Sequence, residues 1–305
     1  GLMLALGSAL TPFMSSSWGL MLTLGLLSAA GAGAGSFSIL IGATASQLPA
    51  EKRSFSACFI NAGGPLGQFV FAPLVQLTIS AAGWMTAMFG LAAASLLTLP
   101  LAWPLRRKPA NPLSTTQSTV GNADEITLRT CGFHIAFLVT HLPGEIALCG
   151  LQPSVAGISI ALIGLFNIAG SLVAGALGQH YRMKMILAVM YASRAVMIVI
   201  YLLAPPTPLT FYIFAAALGF TWLATVPPTA GLVGKLFGPR YLGTLFGLTL
   251  LSHQAGAFFG AWLGGVAMER LGDYTWMWYA DIALALIAAA ANLPIREKSP
   301  RVGTA

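Results

Sequence analysis

From Met185 to Leu203 the chain is apolar on every side, with Arg194 as its one charge. A barrel strand would alternate apolar and polar residues over about 10 positions, and this run does not, so an all-β barrel is excluded. What remains is a helix without a wet face. Runs of this kind recur along the chain at 1–15, 18–47, 54–81, 84–105, 131–149, 154–178, 184–203, 209–235, 241–268 and 275–294. About 20 mostly apolar residues cross the hydrocarbon layer of a bilayer, and these segments reach or approach that length. A soluble reading would need charges to coat so much apolar surface. Only 8% of the residues are charged and 57% are hydrophobic, against about a quarter charged in an ordinary soluble domain. The expected fold class is therefore an all-α membrane protein, with the lipid bilayer as its solvent.

The net charge of +7 does not point to nucleic acid, because Lys and Arg are dispersed among apolar runs and not gathered with groove-reading elements. Cys58, Cys131 and Cys149 follow no metal or redox spacing and read as small buried hydrophobes. Gly31, Gly33 and Gly35 follow no strand and do not fit a dinucleotide loop. Together with Gly256, Gly260 and Gly264 they read as small residues that let helix backbones approach closely. Gly1 opens inside an apolar run without Met or a charged leader, so no cleavable signal peptide is read and the natural N-terminus is expected upstream.

Short cytoplasmic loops collect Lys and Arg, which orients the chain. If the first segment runs outward, Lys52, Arg53, Arg106, Arg107, Lys108, Arg129, Arg182, Lys184, Lys235, Arg240, Arg296, Lys298 and Arg301 fall inside, and Arg270 alone falls outside. The C-terminus is then cytoplasmic. The hydrophilic stretch 106–130 reads as a cytoplasmic linker between a partial N-terminal bundle, 1–105, and a six-helix C-terminal bundle, 131–305. An offset of 189 brings Gly67 onto Gly256, Gly83 onto Gly272 and the loop 49–53 onto 238–242, which suggests a duplication. Six segments follow the linker and four precede it, so the chain reads as helices three to twelve of a twelve-helix protein, ten of twelve present.

This arrangement resembles the major facilitator superfamily. Gly175, Leu177, Gly178, Gln179, His180, Tyr181, Arg182 and Lys184 are similar to that superfamily's G-x-L-x-D-R-x-G-R-R loop, with the Asp, first Arg and Gly replaced by Gln179, His180 and Arg182. Lys52-Arg53-Ser54, then 62–69 and Gly83-Trp84, are similar to the oxalate/formate antiporter and monocarboxylate porter branch, as are Gly264-Gly265, 269–274, Trp278 and 293–296. The resemblance implies a secondary active transporter of a small solute in the cell (inner or plasma) membrane, monomeric, working by alternating access, without cofactor or enzymatic activity. An organic anion and proton coupling are implied by the branch. The segment 154–178 has no basic residue where anion porters of that branch place an Arg. A non-transporting membrane sensor on the same scaffold is the alternative.

An ionisable residue within a membrane segment costs a few kcal/mol and so needs a partner or a task. Arg194 and Asp281 lie on helices that are scaffolding in the superfamily, and are expected to form a structural ion pair. Helix seven carries His134 and His141. His141 and His253 fall near mid-membrane on helices that line the cavity in similar proteins, and imidazole can bind anions or relay protons near neutral pH. With Gln254 and Asn167 they form the expected solute site. Asn61, Gln68, Trp222 and Thr225 are further candidates for solute contact, or else helix-to-helix bonds. His141 and Glu145 are two ligands without a third, so no metal site is expected. Pro227-Pro228 breaks the backbone ladder of helix ten. A cysteine at Asp273 is expected to react with a membrane-impermeant maleimide on intact cells and one at Ser118 only after permeabilisation; the reverse pattern would overturn the orientation.

Overall fold

The computed structural model describes residues 1–34, 50–101, 122–237, 242–295 and 297. Every regular element among them is helical. In chain order these are α1 (Leu2–Leu10), α2 (Ser17–Leu20), α3 (Ala29–Ala34), α4 (Ala50–Leu101), α5 (Asn122–Leu148), α6 (Pro153–His180), α7 (Met183–Leu203), α8 (Pro208–Trp222), α9 (Val226–Phe237), α10 (Leu242–Leu271) and α11 (Thr275–Asn292). A π-helical stretch, Met21–Ser28, joins α2 to α3, and a 3-10 turn, Leu223–Thr225, joins α8 to α9. The expected loop 49–53, most of the linker and the loop 238–241 lie wholly or partly outside the described residues.

Local chemistry sets the helix ends. Ser16 caps α2 by accepting from the Gly19 amide at 3.1 Å, and Thr207 caps α8 by accepting from the Thr210 amide at 3.3 Å. Pro153 and Pro208 open α6 and α8, where a missing N–H leaves nothing unsatisfied. α4 is broken at Gly83, whose φ of 81° and ψ of 164° are outside the helical region. The break divides it at the boundary expected between 54–81 and 84–105. Gly150 and Gly272 also have positive φ, 70° and 77°, and each follows a helix at a turn assigned to the outer side. Gly83 and Gly272 are one of the pairs matched by the offset of 189. α5 starts at Asn122, inside the stretch read as linker; the sequence Asn-Ala-Asp-Glu there suits the positive end of a helix dipole.

Ile60–Leu101, Pro153–Gly178, Met183–Leu203 and Pro208–Thr229 are long and apolar enough to cross a membrane, while Leu2–Phe13, Ser17–Gly33 and Gly132–Leu148 are shorter apolar helices. Large side chains such as Leu172, Val189, Leu203 and Phe258 are exposed. Water would not tolerate this, and lipid would.

The chain forms two compact units, one of Gly1–Gly64 with Pro73–Ser114, the other of Pro65–Ala72 with Thr115–Ala305. In the first, α1 lies on the π-helical stretch and α3. Gly31 there touches backbone: a Cβ would stand 2.6 Å from the Leu4 nitrogen. Thr11 donates to the Gly7 carbonyl at 2.7 Å and to the Thr23 hydroxyl at 3.3 Å, so its polar group is satisfied inside the packing.

The second unit is held by two glycine seams. On one, α5 meets α10: Gly132 lies against the His253 carbonyl, Gly260 against the Phe133 carbonyl, and Gly264 against the His141 ring. On the other, α6 meets α8, with Gly170 against the Phe220 carbonyl and Gly219 against Ile163. The face of Gly260 and Gly264 thus packs on a neighbouring helix, as the spacing predicts. Between the seams, Phe133, Phe137, Phe214, Tyr274 and Trp278 join an apolar core that also takes in Ile163, Ile198 and Leu218. Gly260→Ala is expected to destabilise the detergent-solubilised protein by about 1–3 kcal/mol, because the methyl group must enter backbone already in contact. Gly265→Ala, where nothing lies within reach of a Cβ, should leave the melting temperature unchanged.

Candidate functional site

The buried polar groups of the second unit gather around one break in the helical backbone. At Trp222 ψ falls to −79°, and the chain tightens into the 3-10 turn Leu223–Thr225. The Val226 amide then bonds the Leu223 carbonyl, three residues back. The Trp222 carbonyl thereby loses its ordinary partner, and Pro227 and Pro228 supply no N–H to the preceding turn. In a membrane such groups must be satisfied by protein.

Two side chains from other helices do this. Arg194 of α7, only 1% exposed, donates through Nη2 to the Thr221 carbonyl at 2.5 Å and the Trp222 carbonyl at 3.0 Å. Its guanidinium also lies over the Tyr191 ring, 4.9 Å from the centroid. Asn167 of α6, equally buried, accepts from the Leu223 amide at 3.0 Å. Thr225 adds a hydroxyl bond to the Trp222 carbonyl at 2.9 Å, and Thr229 one to the Thr225 carbonyl at 2.7 Å.

Arg194 is not the ion-pair partner expected for Asp281. Asp281 Oδ2 of α11 is paired with His134 Nδ1 of α5, and the two side chains are 0% and 2% exposed. The reason is the broken backbone: freed carbonyls of α8 compete for the guanidinium, and the imidazole of α5 takes the carboxylate. Sequence reasoning gives His134 no role beyond its place beside His141. Its spacing of seven from His141 does not reveal the role, because His134 meets α11 while His141 lies against Gly264 of α10. A second buried contact, Tyr201 donating to Glu145 Oε1 at 3.0 Å, joins α7 to α5.

The expected solute residues are scattered. His141 is half-buried, its Nε2 lies 2.8 Å from the Ala261 carbonyl, and its ring packs beside Phe137 and Tyr274. Opposite Gly132, His253 sits on α10 eleven positions before Gly264, which faces His141. At 1.5 Å per residue that is about 16 Å along the helix, so the two imidazoles do not meet at one depth. Gln254 is exposed beside His253, and Trp222 is half-buried against the apolar core. Asn61 is half-buried in the first unit, while Gln68 belongs to the second, against Gly164 of α6. Asn167, expected among solute contacts, is committed to the Leu223 amide. No group of three His, Cys, Asp or Glu that could hold a metal occurs among the described residues.

Removing Asn167 strands a buried amide, which costs about 1–3 kcal/mol. Asn167→Ala is therefore expected to lower the melting temperature of the purified protein, whereas Gln254→Ala, at an exposed position, should shift it little.

The comparison with known proteins agrees with this architecture. The model of the Major Facilitator Superfamily matches residues 130–304. Monocarboxylate transporter 13 of Rattus norvegicus and its counterpart of Bos taurus are each 26% identical over 295 residues, covering 90% of this chain and 67% of theirs. Among solved structures, a bacterial homolog of the human lysosomal transporter Spinster, crystallised in an inward-facing and occupied conformation, superposes with a TM-score of 0.66 at 13% identity. That match covers 96% of this chain and 77% of the other. The family is one of non-enzymatic, multi-pass membrane transporters of small molecules, and this chain belongs to the major facilitator superfamily.

Proposed function

We propose that the protein is a secondary active transporter of a small organic anion, moving it by alternating access with proton coupling, its C-terminus on the cytoplasmic side of the cell membrane. The observation that carries the reading is the likeness to monocarboxylate transporter 13, sustained over 90% of this chain. Geometry adds support at the broken turn: a 3-10 backbone bond and side-chain bonds from Arg194 and Asn167 hold α8 to α9 across residues 222–225, and a helix interrupted in this way can bend there at low cost. Within the second unit His253, Gln254, Trp222, Thr225 and Gln68 are the proposed solute contacts, and within the first unit Asn61. His141 and Asn167 are better explained as helix-to-helix bonds.

With no basic residue in 154–178, anion binding falls to neutral donors and imidazole. Such a site should favour small monovalent acids over di- and tricarboxylates, whose second charge would lack a counter-ion. A ligand that binds only the folded state stabilises it by about 2.7 kcal/mol at a hundred times its dissociation constant. Acetate, L-lactate or pyruvate is therefore expected to raise the melting temperature, with succinate and glucose as inactive controls, and His253→Gln should weaken the effect. Uptake by reconstituted vesicles would establish transport; binding without flux would favour a sensor. Stabilisation by glucose and by none of the acids would overturn the substrate class.

A further inference from the structure

The buried ionisable groups of the second unit differ in what they can change. Arg194 is permanently charged and is bound to backbone carbonyls. His134 Nδ1 and Asp281 Oδ2 are in ion-pair contact, and the ring nitrogens and carboxylate oxygens of the two have no hydrogen-bond partner among the described residues. A carboxylate whose partner is Arg stays a fixed pair, whereas one whose partner is imidazole can gain or lose a charge near neutral pH.

We propose that the His134–Asp281 pair is the site at which this protein takes up and releases a proton. In the deprotonated state a neutral imidazole stands with Nδ1 against the Asp281 carboxylate. The proton adds at the ring nitrogen that carries none, giving imidazolium beside carboxylate, and leaves from the same atom. The pair is contributed by α5 and α11, so the arrangement of these two helices sets the surroundings of the proton. Phe137, one turn along α5, meets Trp278, one turn along α11, edge-on at 5.1 Å, so a shift between these helices reaches the pair. Among the described side chains, the other charged or titratable groups on the packed helices are His141 and Glu145 of α5, Lys184, Tyr191, Arg194 and Tyr201 of α7, His253, Glu269 and Arg270 of α10, and Tyr279 of α11, while α6 carries His180 at its C-terminal end. The use of this proton in transport rests on the coupling proposed above.

The protein has four histidines, so ring-15N labelling of the intact chain in detergent micelles gives few signals. One of them, absent from His134→Gln, is expected to titrate between about pH 5 and 9. In Asp281→Asn its midpoint should move by at least one pH unit, a tenfold change in the hold on the proton. If His134→Gln does not fold, substituting the other three histidines assigns the signal by elimination. The double variant His134→Gln with Asp281→Asn, which leaves neither charge buried, serves the uptake assay in that case. A His134 signal that keeps one protonation state throughout, or an unmoved midpoint in Asp281→Asn, would overturn the proposal. In vesicles, lactate uptake by His134→Gln should lose its pH dependence while persisting at high substrate; a wild-type profile would count against the pair. No carboxylate uptake by the wild type at any pH would sink the transport reading instead, and the titration would still decide the proton site.

Discussion

A polar backbone group inside a bilayer has no water to turn to, and the second unit is organised around one place where the helix fails to satisfy its own. Between Thr221 and Thr225 the backbone ladder tightens and lapses, and the missing bonds are supplied from α7 by Arg194 and from α6 by Asn167. Arg194, expected to pair with Asp281, and Asn167, expected among the solute contacts, are thus spent on protein backbone. Their burial is not a cost without return, because each offsets the larger penalty of an orphaned carbonyl or amide in an apolar setting.

That assignment decides the rest of the polar interior. With the guanidinium engaged at the break, Asp281 draws its partner from α5, and an ion pair that would have been permanent becomes one that includes an imidazole. The glycine seams make this possible. Gly132, Gly260 and Gly264 bring α5 and α10 into backbone contact, and Gly170 and Gly219 do the same for α6 and α8. Helices held so closely leave α11 and α7 to cover the remaining sides, with Trp278 and Tyr201 packed ring against ring at 4.9 Å. Lipid offers no hydrophobic drive between helices, so this close fit supplies much of the cohesion.

Membership of the superfamily fixes the architecture and the kind of work, and leaves the chemistry of the cargo to individual side chains. Here those side chains are few and mostly uncharged. Among the described residues of the second unit, His134 meets Asp281 in a buried contact and Tyr201 meets Glu145 in a part-buried one, both between α5 and a neighbour. α5 is therefore the element through which a change of charge would be felt.

The sequence by itself determined the solvent and the helical class, because apolar runs of membrane length and scarce charge allow no other backbone arrangement in lipid. Turn glycines were legible as well: Gly83 and Gly272 share an offset, and both adopt the left-handed conformation a side chain would strain. The packing role of Gly260 and Gly264 could be read from their spacing of four. Partner choice could not. Arg194 and Asp281 looked matched by depth and sign, yet the sequence does not show that tightening at Trp222 frees two carbonyls within reach of the guanidinium. Nor does it show that His134, seven residues from His141, faces α11 while His141 lies over Gly264. Depth along a helix is a one-dimensional property and is written in residue order. Which of several polar groups at similar depth meet depends on helix rotation and on competition for each donor, and only the tertiary structure settles that.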